Sequence, residues 1–402
     1  MKVCIINNIY PPYHRGGAEQ VVVKTVEGLL ERGHEVVIIT SSPQGNTVER
    51  DGKLTIYRRR PWNIYFYTDA HNYSFVLRFV WHICDMFNFF VARWVRDILQ
   101  KEQPDIVHTH NLIGLSFLIP SVIRILKLKH IHTVHDVQLV EPSAMILKNK
   151  ENSWRYTGLP TRVYTWIMKK MMGSPHVVIS PSQFLLDFYT KRGFFQESQK
   201  VLVRNPLTFG FDALNVDLRL QNEELREKKS FDFIYLGQIE MHKGVFLLIE
   251  AFKRIQNSIK DQVILHIIGN GSQLEEVSLQ AKGNNSIHVY GRMEHNQLPE
   301  LFKTIDVAVV PSLCYENSPT VIFESLYFGI PVLASRIEGI AELIHEGENG
   351  ITFSAGDVHS LAEKMKWCLD HKQVLREMSN KTRQSVLGLG REEYVKRLLE
   401  LY

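Results

Sequence analysis

The stretch DVAVVPSLCYENSPTVIFESLYFGIPVLAS, Asp306–Ser335, reads as one strand, loop, helix and strand. The β-branched run Val307–Val310 ends at Pro311 and is followed by a polar loop. In that loop Ser318 is suited to cap a helix and Pro319 to occupy its first position. Gly329 and Pro331 stop the helix, and the apolar run at Val332 begins the next strand. Strands of this kind, joined by a crossover helix, are parallel and buried on both faces, so the unit predicts an α/β sheet.

The same alternation extends outward in both directions. KVCIINN, HEVVIIT, PDIVHTH and KHIHTVHD form a first series, with a helix from about Ala18 to Arg32 between its first two members. FDFIYLG, VILHIIG and SIHVYG precede Asp306–Ser335 in a second series. Two Rossmann-like α/β domains with parallel sheets and a cleft between them are therefore expected, which suits 402 residues at about 150 to 200 per domain. The polar, charge-rich Asp212–Ser230 is the expected connection, and REEYVKRLLELY is a helix that must dock to stay ordered. The expected domains are 1–207 and 208–385, with a terminal helical segment 386–402.

With 45% hydrophobic and 22% charged residues, the composition is that of a folded globular chain. Cys4, Cys84, Cys314 and Cys368 are scattered without a CxxC pair, so neither a disulfide framework nor a zinc site is expected. The start MKVCIINNIY has an apolar run too short for a secretion signal and reads as a first strand, which predicts a cytoplasmic protein. The formal charge of +4 hides an asymmetry: residues 1–205 carry 26 Lys and Arg against 16 Asp and Glu, and residues 206–402 carry 21 against 27. A basic first half favours an anionic membrane surface or an acidic substrate. No nucleic-acid-binding signature occurs, so nucleic acid is not an expected partner.

Tyr73–Gln100 is interrupted by Arg78, Asp85, Arg93, Arg96 and Asp97, too many charges for a bilayer span. Arg78, His82, Asp85, Phe89, Arg93 and Arg96 fall at helical spacing, all but Phe89 polar, on an otherwise apolar helix. Two readings follow: a mostly buried core helix, or an interfacial helix that touches lipid.

Ligands of open parallel sheets bind beyond the carboxyl ends of the strands. After the first strand, HRGGAEQ sets Gly16 and Gly17 before a helix whose amino end can meet an anion, unless the pair serves only a tight loop. Two further strands end in histidine: His108 and His110 in HTHN, and His135 followed by Asp136 in TVHD. An uncharged imidazole there can bond a substrate hydroxyl or share a proton, with His110 and Asp136 candidates for the acceptor side. No cysteine or carboxylate set surrounds these histidines at metal-ligand spacing. In YLGQIEMHKGV, Lys243 beside Gly244 at a helix start is suited to a diphosphate, unless it is one exposed lysine among many.

Glu316 sits in the loop of the opening stretch and Glu324 about five residues into its helix, so the free N–H groups of the segment lie between two carboxylates. Phosphate oxygens can rest on helix-start amides while a carboxylate on either side accepts hydrogen bonds from hydroxyls. A nucleotide sugar has that layout: ribose diol, diphosphate, sugar diol. The plainer reading is an acid near the helix dipole and a solvated Glu324. Phe323, Leu326 and Phe328 face the core under either.

Together these segments resemble the retaining glycosyltransferases of family 4, whose GT-B fold has two facing Rossmann-like domains. The motifs are GGAE (Gly16–Glu19), TVHD (Thr133–Asp136), SPSQF (Ser180–Phe184), GQIEMHKG (Gly237–Gly244), the two glutamates with seven residues between them, and GIPVLAS followed by GIAELI, in the family's order. The resemblance implies that Lys243 grips the donor diphosphate, Glu316 bonds donor-sugar hydroxyls and Glu324 the ribose. It implies that residues 317–320 line the diphosphate through their backbone, that Gly17 closes on it from the other domain, and that His135 lies beside the reacting sugar. The terminal helix would cross back onto the first domain. Two departures stand out: Gln238 occupies a donor-side position where the family often has arginine, and the usual GG-I-P-E stretch is EGIAE, Glu338–Glu342.

The implied reaction is metal-independent, retaining transfer of a hexosyl group, with no cofactor. Lys243 and helix-end amides would stabilise the departing nucleoside diphosphate, and the chain has no Asp-x-Asp triplet. The expected donor is a UDP-sugar first and a GDP-sugar second. The expected acceptor is a glycan or lipid-linked glycan, in cell-surface polysaccharide or glycolipid synthesis, extended at the cytoplasmic face of the membrane with peripheral contact through the basic half. A nicotinamide dehydrogenase is disfavoured, because no GxGxxG follows the first strand and GNGSQL at Gly269 lacks the third glycine. A nucleotide-sugar epimerase, or a non-catalytic sugar-nucleotide-binding protein of the same fold, is the alternative.

Overall fold

Val3, Ile5, Val36, Ile38, Ile106 and Ile131 are almost fully buried because the strands that carry them lie inside a sheet covered on both faces. The computed structural model describes residues 1–13, 16–207, 230–258, 262–293 and 297–402. The expected connection at 212–230 lies, apart from Ser230, outside the described residues. The chain divides into two units, one of Met1–Met145, Asn152–Pro206 and Arg391–Tyr402, the other of Ile146–Glu151 and Leu207–Gly390.

The first unit holds β1 (Lys2–Ile6), β2 (Glu35–Ser41), β3 (Thr47–Asp51), β4 (Leu54–Arg59), β5 (Ile106–Thr109), β6 (Lys129–Thr133), β7 (Val177–Ser180) and β8 (Gln199–Leu202), in the order β3-β4-β2-β1-β5-β6-β7-β8. All pairings are parallel except β3 with β4, a hairpin whose outer strand TVERD is exposed throughout and so ends the sheet with charge. In register, Val3 lies beside Val36 and Ile106. The second unit holds β9 (Ser230–Leu236), β10 (Gln262–Ile268), β11 (Ile287–Gly291), β12 (Val307–Val310), β13 (Val332–Ser335) and β14 (Gly350–Phe353), all parallel, in the order β11-β10-β9-β12-β13-β14. Strand order reverses between β1 and β5 in one sheet and between β9 and β12 in the other. Such reversals open a crevice at the carboxyl ends of the two strands.

The helix Arg391–Leu399 packs on the helix Gly17–Glu31 within the first unit. Tyr394, Val395 and Leu398 join its core, and Arg391 pairs with Glu27 at 2.9 Å and Glu31 at 2.6 Å. Gly28 permits this approach: a Cβ there would stand 2.5 Å from Val395 Cγ2. The six residues Ile146–Glu151, expected in the first domain, group with the second unit. Their backbone explains it, because Ile146 O accepts from Tyr315 N and Lys148 N donates to Leu313 O, each at 2.8 Å.

The apolar segment after Tyr73 is two helices, Phe75–Met86 and Phe89–Glu102. Contrary to the expectation from its charges, the stretch Phe75–Glu102 is apolar enough to cross a membrane by length and composition alone. It breaks at Phe87–Asn88, where Asn88 Oδ1 accepts from Val91 N at 3.1 Å and caps the second helix. The expectation of a mostly buried core helix is overturned: residues 75–80 are all exposed. The polar stripe is not uniform: Arg78, Phe89, Arg93 and Arg96 are exposed, whereas Asp85 is buried and its two oxygens accept from Gly114 N at 2.9 and 3.0 Å.

Candidate functional site

The β9/β12 reversal gathers the second unit's candidates. After β9 a short 3-10 turn, Met241–Lys243, ends at Gly244 with φ +77°. A Cβ on Gly244 would lie 1.8 Å from Pro311 O, so only glycine lets this turn press against the end of β12. That contact brings the Lys243 ammonium to Glu316, Nζ to Oε1 at 2.6 Å, and Ser312 Oγ donates to the same oxygen at 2.5 Å. Burial alone would lower the Lys243 pKa, but the Glu316 charge and hydrogen bond outweigh it and the net shift is upward. Lys243 is thus held as a cation at the mouth of the sheet. Gln238 lies in the same β9 loop, its carbonyl accepting from Tyr235 OH at 2.5 Å.

The helix of the opening stretch is Thr320–Tyr327. Pro319, with φ −62° and ψ 121°, is the flanking residue and Thr320 the first helical one, one place later than expected, and Ser318 is not the capping residue. Proline's fixed φ is compatible with both positions, so the sequence pattern could not separate them. Glu324 is the fifth residue of the helix and buried, which removes the reading of a solvated acid. Phe323, Leu326 and Phe328 lie in the core as expected. Asn317 and Thr320 are partly exposed along the loop, and the helix begins with amides at Thr320 and Val321 that precede its first turn.

The EGIAE stretch covers this loop from the β13 side. Gly339, at φ +84°, lies so close that a Cβ would stand 2.0 Å from Glu316 O and 2.6 Å from Asn317 O. Beside it, Glu338 Oε1 pairs with Lys148 Nζ at 2.5 Å, and that ammonium lies 5.8 Å from the Tyr315 ring centroid. Ser312, Lys148 and Gly339 were not singled out from sequence. Ser312 could have been, as a hydroxyl four residues before Glu316 at a strand end; Lys148 carries no such signal.

In the first unit the helix amino end after β1 is partly occupied by its own chain: Gly16 N donates to Glu19 Oε2 at 2.8 Å, and Gly17 is the first helical residue. The strands β5 and β6 and the residues just after them carry four buried histidines, His108, His110, His130 and His132, with the half-buried His135 beside them. His110 Nδ1 and His135 Nε2 share a hydrogen bond at 2.9 Å with rings stacked 5.2 Å apart. His108 bonds Tyr402 OH and Thr133 Oγ1, each at 2.7 Å, and Thr109 Oγ1 bonds His130 at 2.8 Å and His132 at 2.9 Å. Burial pushes His135 down to about 4 and His108 and His132 to about 3, and it holds His110 and His130 well below the usual range, so all five are neutral near pH 7. A water-sized cavity touches His110, Thr133, His135, Asp136, Gln138 and Tyr189. His110 Nε2 has no hydrogen-bond partner among the described residues, and a water in this cavity would satisfy it. Asp136 Oδ1 accepts from Gln138 N at 2.9 Å, which fixes its carboxylate as an Asx turn. Among the described residues no group of three His, Cys, Asp or Glu is placed to hold a metal ion.

Comparison with known proteins gives two family matches, "Glycosyltransferase Family 4" over residues 15–207 and "Glycosyl transferases group 1" over residues 218–385. A Klebsiella pneumoniae relative described as an uncharacterized 42.6 kDa protein in the cps region is 27% identical over 357 residues, 85% of this chain and 87% of the relative. Among solved structures, sucrose-phosphate synthase from Thermosynechococcus elongatus superposes with a TM-score of 0.77 at 19% identity, covering 100% of this chain and 98% of that one. Anabaena HepE in complex with UDP superposes with a TM-score of 0.70 at 15% identity, covering 100% and 99%. Both parallel-sheet units are thereby accounted for: the chain belongs to the group 1 (family 4) glycosyltransferases and has their GT-B fold.

Proposed function

We propose that the protein moves a sugar from a nucleotide-sugar donor, a UDP-sugar before a GDP-sugar, to a glycan or lipid-linked acceptor at the cytoplasmic face of the membrane, with retention and without a metal. The observation that carries this reading is the Lys243–Glu316 pair at the β9/β12 reversal, 2.6 Å apart beside the start of the helix Thr320–Tyr327. A diphosphate arriving there would share Lys243 with Glu316, releasing the carboxylate to accept hydrogen bonds from sugar hydroxyls. As the bond to the anomeric carbon breaks, negative charge grows on the diphosphate, and Lys243 with the helix-start amides is placed to stabilise it. Glu324, buried one turn further, would take the ribose diol, with Gln238 and residues 317–320 along the phosphates.

His135 would serve the reacting sugar as a neutral hydrogen-bonding group, since its low pKa makes it a poor cation at pH 7. Its partner His110, and Asp136, would face the acceptor. Retention then follows from attack by the acceptor hydroxyl on the face the diphosphate leaves, a phosphate oxygen taking the proton. The Anabaena structure with UDP supports the choice of base.

The test is a thermal-shift screen of nucleotide sugars, followed by product analysis with the best donor in the presence of a chelator. A ligand at a hundred times its Kd raises stability by about 2.7 kcal/mol. Stabilisation by one UDP-sugar, release of UDP that depends on acceptor, and α-linked product from an α-linked donor are expected. Indifference to every nucleotide sugar, or interconversion of sugars without an acceptor, would refute the proposal.

A further inference from the structure

The helix Phe75–Met86 is apolar on the wrong side for a soluble protein. Its inner face carries Trp81, whose Nε1 donates to Tyr65 O at 2.8 Å, and the buried Asp85 held by Gly114. Its outer face carries Phe75, Val76, Phe79, Val80, Ile83 and, one turn beyond, Phe87, all exposed, Phe75 to 78%. From Val76 these positions follow helical spacing, so they form one stripe. The stripe continues past the break into an aromatic cluster: Trp62, 67% exposed, meets Phe90 edge-on at 5.8 Å, and Phe89 meets Phe90 at 6.4 Å. An apolar patch of this extent marks a surface with a partner.

The charges around it identify the kind. Arg78, Arg93 and Arg96 are exposed on the same two helices, with Asp97 the exposed acid among them. The helix Leu159–Met172 repeats the pattern, exposing Leu159, Val163 and Trp166 beside Arg162 and Lys170. The two regions are joined by the helix Ile119–Ile125, which packs on both Phe89–Glu102 and Leu159–Met172. Aromatic and aliphatic side chains rimmed by arginine and lysine match the headgroup boundary of an anionic bilayer, where rings sink below the phosphates and cations meet them.

We propose that the outer faces of helices 75–86 and 89–102, with the exposed strip of helix 159–172, seat the first unit on an anionic lipid surface. The docking rests on the proposed lipid-linked acceptor for its purpose, and its test does not depend on transfer. Full-length protein is floated with vesicles of phosphatidylglycerol and phosphatidylcholine, or of phosphatidylcholine alone, at low and high salt. Binding to the anionic vesicles, weakened by salt, is expected. The double variants Phe79→Ser/Val80→Ser and Arg93→Gln/Arg96→Gln should each lower the bound fraction about tenfold. These positions are solvent-exposed, so the variants should unfold at the wild-type temperature. The shift given by nucleotide sugar reads the transfer proposal separately and should survive both variants. Equal flotation of wild type and variants, binding indifferent to lipid charge, or a concentration-dependent dimer abolished by Phe79→Ser/Val80→Ser would overturn the proposal.

Discussion

Lowering the pH from about 7.5 to about 5.5 should destabilise the first unit through its histidines, and the buried Asp85 should oppose them. His108, His132 and His135 have ordinary values of 6.5 and folded values of about 3, 3 and 4. Depressed bases bind fewer protons folded than unfolded, so their stabilisation is complete above about 6.5 and is lost as pH falls toward 4. Over this interval each loses about 1.4 kcal/mol, about 4 kcal/mol for the three. His110 and His130 shift in the same direction for the same cause, burial. Asp85 works oppositely. Burial raises it from 3.8 to about 8, against the hydrogen bonds from Gly114, so the folded state holds a proton that the unfolded state releases. Acidification over the same interval therefore returns about 2.5 kcal/mol. The histidines win, by about 1.5 kcal/mol from the three alone. Asp85→Asn removes the opposing group and should deepen the loss to about 4 kcal/mol or more. Urea titrations followed by tryptophan fluorescence read the correct unit, because Trp62, Trp81, Trp94, Trp154 and Trp166 lie in it and Trp367 in the other. A wild-type midpoint that rises on acidification, or an Asp85→Asn variant no more acid-sensitive than wild type, would refute the reasoning.

Lys243→Ala should cost at least about 2 kcal/mol of transition-state stabilisation, about thirtyfold in transfer rate, measured as nucleoside diphosphate release with saturating donor. Gly339→Ala places a Cβ 2.0 Å from Glu316 O at φ +84°, so it should weaken donor titrations at least about tenfold and lower stability by about 2 kcal/mol in urea. Gly28→Leu should push the helix Arg391–Leu399 off the helix Gly17–Glu31, costing about 2 to 3 kcal/mol and raising hydrogen exchange across residues 391–399, with the second unit's exchange unchanged.

The strands and the loops that carry candidate residues were legible because period, strand length and punctuation are local properties. Val307–Val310, the turn at Lys243 and the histidines ending β5 and β6 each follow from fewer than about ten residues of pattern. What eluded the sequence was long-range. Lys243 and Glu316 lie 73 positions apart, and each alone suggested a ligand, not an ion pair with the other. Lys148 reaches the site through main-chain pairing, which side-chain chemistry does not encode. Helix 75–86 shows the same limit in another form: its spacing fixed two faces but not which is covered, and the aromatic face, the natural choice for the core, is the exposed one. The placement of Pro319 turned on a single residue at a helix boundary, where proline's φ suits either side.

The excursion Ile146–Glu151 makes the loop that carries Glu316 dependent on a borrowed β-bridge. Leu313 and Tyr315, on either side of Cys314, are tied by their main chain to residues that belong, in chain order, to the other half, and Glu316 follows immediately. Excising residues 207–390 as a separate piece would therefore leave those two amide and carbonyl groups without their counterparts and deprive Glu338 of Lys148. Such a fragment could keep its six-stranded sheet and still present a slack acidic loop. In this protein, self-sufficiency of folding and the setting of the loop that carries Glu316 are separable properties, and the six-residue detour is where they part.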